Sequence, residues 1–374
     1  MNKLSERCVG RACAARSARQ APSTAQAPCR YRSVTFRVFP ACVAPRPVDL
    51  GAPKRYVFGV PKNRKLHTVL SATVLSLVML ALAACTTPAA TEAEAEAESE
   101  SRPVVVATFS VLADIASVIA GEHIDVRSIT KVGAEIHGYE PTPGDIRQGV
   151  QADLLIENGW GLEAWFDQFT ADLDVPIVTL TDGLDPIDIA SDAYAGKPNP
   201  HAWMSPKNVQ HFAEVLAAEF TKLAPEHAAD FQSNAQAYIA QLEQVQTELV
   251  SAIESIPPQH RTLITCEGAF SYLARDAGLA EVFIWPVNAE QQVTPQRLAA
   301  IIDTVNGTNV PAVFCESTVS ERPMLQVVSA TDARFGGTLY VDSLSLADGP
   351  VPTYLDLITH DVDLIVAALA GEAS

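Results

Sequence analysis

The stretch PEHAADFQSNAQAYIAQLEQVQTELVSAIESIPP (225–258) sets the architecture. Apolar residues recur at Phe231, Ala235, Tyr238, Ile239, Leu242, Val245, Leu249, Ile253 and Ile256, in steps of three and four that gather them on one helical face. Pro225 stands where a first turn tolerates proline, and Pro257-Pro258 ends the run. About 30 residues at ~1.5 Å rise make a helix of ~45 Å, long enough to brace two lobes.

On either side of this helix, short apolar runs alternate with helical segments, the pattern of βαβ units and parallel sheets. Before it, VVVATF (104–109), IDVRSI (124–129), DLLIEN (153–158) and VPIVTL (175–180) read as strands, with helical spacing over 111–120, 144–151 and 161–170. After it come TLITC (262–266), EVFIW (281–285), PAVFC (311–315) and GTLYV (337–341), then a last helix at 353–369. The fold class is α/β, two (β/α) lobes joined by a long rigid helix. Ligands of open parallel sheets bind beyond the strands' carboxyl ends, where loops and helix N-termini converge.

Charge separates the chain into two parts. Of its 374 residues, 26 are Lys or Arg and 44 are Asp or Glu, a net charge of −18. Residues 1–85 hold 14 of the bases and only two acids, Glu6 and Asp49, which leaves 12 bases against 42 acids in 86–374. So acidic a segment repels phosphate backbones and attracts cations, which excludes nucleic acid as a partner. The chain as a whole is 48% hydrophobic, ample material for a core.

The basic part contains a targeting pattern. Lys62-Asn63-Arg64-Lys65 precedes the uncharged, mostly apolar run TVLSATVLSLVMLALAA (68–84), as in a secretory signal. An uncleaved membrane anchor is the competing reading, because 17 residues is near the minimum that spans ~30 Å of hydrocarbon. Leu82-Ala83-Ala84-Cys85 resembles the lipobox of bacterial lipoproteins, which implies a lipid on Cys85 and a tethered protein outside the cytoplasm, in the periplasm or at the cell surface. Residues 86–103, with alternating Glu, read as a flexible acidic linker. Segment 62–85 is then signal and lipobox, and 1–61 is a basic extension without periodicity, consistent with a mis-called start and translation from near Val57 or Val60.

Four residues after the strands have the chemistry of a cation site: His137 in GAEIHGYEPTP (133–143), His201 in NPHAWMSP (199–206), Glu267 directly after the fifth strand and Asp342 directly after the eighth. Spacing alone leaves open whether they form one site. The other histidines, His67, His123, His211, His227, His260 and His360, sit in polar surroundings without an evident second ligand, His211 at the start of a helix after Pro206.

With these blocks in view, 104–374 resembles the substrate-binding lipoproteins of bacterial zinc/manganese ABC importers, solute-binding protein family 9. The likeness rests on His137 followed by Tyr139 to Pro143, ADLLIENGWGLEAW (152–165), Pro200 to Trp203, EGAF (267–270), TPQRL (294–298), CESTVSERPM (315–324) and YVDSLS (340–345). It implies N- and C-terminal metal-binding lobes, 104–224 and 258–374, each with a four-stranded parallel sheet, a connecting helix at 225–257, and one metal in the interlobe cleft held by His137, His201, Glu267 and Asp342. Zinc-type relatives tend to have a histidine at the third position and a His-rich acidic loop; this chain has Glu267 and no such loop. Two carboxylates beside two imidazoles favour Mn²⁺ over Zn²⁺ or Fe²⁺ as cargo. Glu135-Ile136 stands where many relatives have Asp-Pro, a change that bears on the His137 loop. Cys266 and Cys315 are expected as buried thiols, although the family's sheet order makes their strands neighbours and an oxidising compartment permits a disulfide.

The resemblance implies a monomeric receptor, not an enzyme, whose partners are a permease and its ATPase, with the membrane reached through the lipid. The alternatives are a surface adhesin with a structural metal, a metal-dependent hydrolase and a binder of an organic solute. A hydrolase needs an open coordination position and a general base, whereas all four candidates are used as ligands. No GxSxG, HExxH or Walker A motif occurs in 86–374. An organic solute would call for cleft aromatics, for which Trp203 is the only pointer. If the start is mis-called, proteomics of the producing cells recovers no peptide from residues 1–50; such peptides would overturn that reading.

Overall fold

The computed structural model describes residues 102–171, 173–190, 194–287 and 293–371. The signal, lipobox, linker and basic extension lie outside these residues. Among the described residues, no helix is long and apolar enough to cross a membrane.

In the first lobe, β1 (Val104–Ala107), β2 (Asp125–Ser128), β3 (Leu154–Glu157) and β4 (Ile177–Thr179) form one parallel sheet in the order β2-β1-β3-β4. Helices α1 (Ser110–Ala120), α2 (Pro143–Val150) and α3 (Ala164–Thr170) make the crossovers. The order reverses between β1 and β3, and the crevice at such a switch is where ligands are bound. Central strands are buried on both faces, which is why VVVA and LLIE read as continuous apolar runs.

A 3₁₀ turn over Pro225–His227 follows α4 (Pro206–Leu223) and leads into α5 (Ala228–Ser255), the long helix expected from the sequence. Its buried stripe is Phe231, Ala235, Tyr238, Leu242, Leu249 and Ile253, while Ile239 and Val245 pack half-buried against the same core. That core is continuous from Val105 in β1 through Leu242 to Leu263 and Ile365 in the second lobe. Each fully buried large aliphatic side chain stabilises the fold by about 1.5–3 kcal/mol, so α5 ties both lobes into one cooperative unit. His211 lies inside α4, not at its start, and its Nε2 donates to the Asp182 carbonyl (2.8 Å).

The second lobe contains β5 (Thr262–Glu267), β6 (Ala280–Trp285), β7 (Ala312–Glu316) and β8 (Arg334–Leu339), with α6 (Ser271–Ala277), α7 (Pro295–Thr308), α8 (Arg322–Ser329) and the final α9 (Tyr354–Leu369). The strands are parallel but hydrogen-bonded as two pairs, β5-β6 and β7-β8, rather than as one four-stranded ladder. At the seam, the Glu267 amide donates to the Glu316 side-chain Oε2 (3.1 Å), so a carboxylate takes an amide that a ladder would use. A disulfide between Cys266 and Cys315, with Cα atoms 4.8 Å apart, crosses the same seam in place of the two thiols expected. Strand β8 begins three residues before the run read from the sequence, because Gly336 and Gly337 hide it. A Cβ on Gly336 would lie within 3.0 Å of three Phe314 ring atoms, so only glycine lets β8 approach β7 there.

Leu242 is fully buried in the middle of the α5 stripe. Leu242→Ala lowers unfolding free energy by about 2–5 kcal/mol in denaturant titration; a change below about 0.5 kcal/mol would contradict a core role for this helix.

Candidate metal centre

The loop after β2 is held in shape before it delivers His137. Glu135 accepts the amides of His137 (2.7 Å) and Gly138 (3.0 Å) through its two oxygens, and the Trp165 indole donates to the Ile136 carbonyl (3.0 Å). Farther on, Thr142 and Asp145 form a reciprocal capping box at the start of α2, and the Tyr139 hydroxyl donates to Asp145 (3.0 Å). This accounts for the YEPTP run: proline at the first helical position, threonine as cap and tyrosine as a strut.

His201 follows β4 and opens a 3₁₀ turn, Ala202–Met204, ahead of α4. Its ring Nδ1 donates to Asn199 Oδ1 (2.8 Å), an oxygen that only accepts, so the proton sits on Nδ1 and Nε2 presents a lone pair. Asn199 is itself oriented across the interface, its amide donating to the Gly268 carbonyl (2.6 Å) and the Ser271 hydroxyl (3.1 Å). Glu267 is the last residue of β5, and Asp342 lies three residues beyond β8 rather than directly after it. Gly268 must be glycine, since a Cβ there would sit 2.8 Å from the Phe283 ring.

These four side chains meet. His137 Nε2 is 3.2 Å from His201 Nε2, 3.5 Å from Glu267 Oε1 and 3.9 Å from Asp342 Oδ1, and His201 Nε2 is 3.6 Å from Glu267 Oε1. Ligands bound at ~2.1 Å around one ion lie roughly 3.0–3.5 Å apart for octahedral and tetrahedral angles, so these edges are of the right size for a single cation. His201, Glu267 and Asp342 are buried, and the His137 side chain is 8% exposed.

The electrostatics point the same way. Asp342 Oδ2 accepts from the Thr318 hydroxyl (3.0 Å), whereas its buried Oδ1 has no hydrogen-bond partner among the described residues. An unmatched buried oxygen costs about 1–3 kcal/mol unless something meets it, and a cation in the cleft does so. Burial pushes the Asp342 carboxyl up to about 7, with the Thr318 bond opposing and Glu135 adding to the rise. Burial also drives His137 down to about 3 and His201 well below the usual imidazole range, the latter aided by His137. Two neutral imidazoles with nitrogens 3.2 Å apart repel unless a proton or cation lies between them.

Sequence reasoning missed several supporting groups. Glu135, noted only as a departure in the loop, has a carboxylate oxygen within 4.8 Å of potential ligand atoms of His137 and Asp342. Asn199 and Thr318 fall inside the NPHAW and CESTV blocks, but their roles rest on contacts with distant segments. Trp203 is fully buried, meeting Phe109 edge-on and donating to the Val341 carbonyl (3.0 Å), so it is core and not a cleft aromatic.

Two parallel-sheet lobes with imidazoles from one and carboxylates from the other meeting between them define the class of solute-binding proteins for divalent metal ions. Comparison with known proteins gives the family. The model for "Zinc-uptake complex component A periplasmic" matches residues 105–368. The iron-binding protein YfeA of Yersinia pestis is 47% identical over 262 residues, 70% of this chain and 84% of that one. The manganese-binding lipoprotein MntA of Halalkalibacterium halodurans is 33% identical over 269 residues, 71% and 88% of the two chains. The Mn-bound periplasmic metal-binding protein of Candidatus Liberibacter asiaticus superposes with a TM-score of 0.67 at 36% identity, covering 72% of this chain and all of that one. The chain belongs to this family of metal-uptake substrate-binding proteins.

Metal ligation requires the ionised carboxylate and neutral imidazoles. His137, pushed down to about 3, is already neutral above pH 5 and burial lowers His201 as well, whereas Asp342 still carries a proton below about 7. Ion affinity therefore rises by up to about tenfold per pH unit between pH 5 and 7 and flattens above it. A chelator-competition titration across pH 5–8 checks this; a flat profile would contradict the placement of Asp342.

Proposed function

We propose that His137, His201, Glu267 and Asp342 bind one divalent ion as cargo, with Mn²⁺ preferred, for delivery to an ABC importer permease driven by its ATPase. The observation that supports this most is the approach of four ligand atoms, two per lobe, to within 3.2–3.9 Å of His137 Nε2 or His201 Nε2. The donor set is two nitrogens and two carboxylates, with Glu135 at its edge; oxygen donors suit Mn²⁺, and a bidentate carboxylate raises the coordination number beyond the four that Zn²⁺ favours. Fe²⁺ is the second reading, favoured by the 47% identity to a protein named iron-binding. On this reading the chain makes and breaks no bond of its own. It acts as a monomer, with residues 104–224 and 258–374 as the two metal-binding lobes and 225–257 as the brace.

We assign the anchor to a lipid on Cys85, because small residues precede that lone cysteine after an apolar run. Its replacement by alanine moves the protein from the membrane to the soluble fraction; an unchanged membrane fraction would favour an uncleaved helix instead.

Plasma mass spectrometry on the stripped protein, re-equilibrated with limiting Mn²⁺, Fe²⁺ and Zn²⁺, tests the cargo. Near-stoichiometric metal with Mn²⁺ in excess over Fe²⁺ is expected, and a His137→Ala/Asp342→Ala double variant retains almost none at the cleft. Equal metal in both proteins would rule out these ligands. Preferential Zn²⁺ uptake in vitro would follow the general affinity order, so the Mn²⁺ assignment also predicts that gene loss is rescued by added Mn²⁺ and not by Zn²⁺.

A further inference from the structure

Away from the cleft, the structure brings His123 against His227 and Asp230 at the start of the long helix, about a hundred residues further along the chain. His123 lies in the turn between α1 and β2, its amide donating to the Ala120 carbonyl (3.3 Å). His227 ends the 3₁₀ turn before α5, its amide donating to Ala224 (3.1 Å), and Asp230 is in the first turn of α5. The imidazoles stack with centroids 3.7 Å apart and planes at 14°. His123 Nε2 is 3.1 Å from Asp230 Oδ2, and His227 Nδ1 is 3.9 Å from the same oxygen.

The setting is firm on one side and open on the other. Phe231 meets both rings edge-on, at 5.9 and 6.3 Å. The Asn234 side chain donates to the Ile119 carbonyl (3.1 Å), pinning α5 to the end of α1 one turn from the cluster. Side-chain exposure rises from 20% at His123 to 36% at His227 and 59% at Asp230, so solvent reaches the outer side, and Glu226 stands 3.9 Å from His227 Nε2. One potential ligand atom from each of the three residues lies within 4.8 Å of the other two. Rings stacked at 14° cannot both aim a lone pair at one ion, so ligation requires the half-exposed His227 ring to turn out of the stack; two imidazoles and one carboxylate then have the composition of a three-protein-ligand site.

We propose that His123, His227 and Asp230 form a second, solvent-facing site for a borderline divalent ion of the Zn²⁺ class, which clips the end of α1 to the start of α5. Two imidazoles and one carboxylate suit Zn²⁺ better than Mn²⁺, and a water supplies the fourth position. The site differs in chemistry from the cleft and does not rest on the cleft reading. Bound there, Zn²⁺ stiffens the joint at which the connecting helix leaves the first lobe, and it is retained outside the transport path.

The test is Zn²⁺ titration of the full chain after the cleft has been loaded with Mn²⁺, and separately of the His137→Ala/Asp342→Ala variant. Zinc binds in both cases without displacing Mn²⁺ in the first. Binding is lost on adding His123→Ala/His227→Ala, while Asp230→Asn, which keeps the shape of the side chain, weakens it by about tenfold or more. Circular dichroism and retained Mn²⁺ uptake by the His123→Ala/His227→Ala protein show that it is folded. The proposal is overturned if the Mn²⁺-loaded protein takes up no further Zn²⁺, or if that uptake is unchanged in both the double variant and Asp230→Asn.

Discussion

A carboxylate buried with one oxygen unmatched is the constraint on which the rest of this molecule depends. Asp342 Oδ1 has no hydrogen-bond partner among the described residues and lies 3.9 Å from His137, one of two imidazoles whose burial favours the neutral form. Left without a cation, the cluster holds a proton it would otherwise release. The fold places it at the carboxyl ends of two sets of parallel strands, where loops of both lobes converge. Glu316 extends the same economy one layer deeper: burial pushes its carboxyl up to about 8, and its Oε2 accepts the Glu267 amide.

The arrangement resists wide separation of the lobes. Asn199 bonds across to Gly268 and Ser271, the Trp203 indole donates to Val341, the Tyr354 hydroxyl donates to the Trp203 carbonyl, and the Gly133 amide donates to Ser343 Oγ (2.6 Å). With one core running through α5 and these bonds on the cleft walls, the exchange of ions at the proposed site would fall to the loops bearing His137 and Asp342 more readily than to a hinge. The disulfide between Cys266 and Cys315 fixes β7 beside the strand that ends in Glu267, so one proposed ligand stands on a covalently tied support.

Much of this was legible in the sequence. Seven of the eight strands and α5 are where the apolar periodicity put them, and β8 overlaps its run but starts earlier, because buried parallel strands and a one-faced helix leave local patterns. The four site residues were individually ambiguous and became readable together with the surrounding blocks. What escaped depended on contacts between distant segments. Nothing local to Asn199 shows that it spans two lobes, nothing in Gly336-Gly337 announces a strand, and His123 looked isolated because the ring it stacks on and the carboxylate it meets lie about a hundred residues further on. The seam between β5 and β7 belongs to the same group: its disulfide and the Glu316 acceptor follow from tertiary placement, which periodicity does not encode.

The central claim is that one ion sits between His137, His201, Glu267 and Asp342. Crystals of the protein grown with Mn²⁺, measured at the manganese absorption edge, test it most directly. The account predicts a single dominant anomalous peak in the cleft, about 2.0–2.3 Å from His137 Nε2, His201 Nε2 and oxygens of Glu267 and Asp342. A cleft without a peak, or a peak lacking contact with the carboxylates, would contradict it.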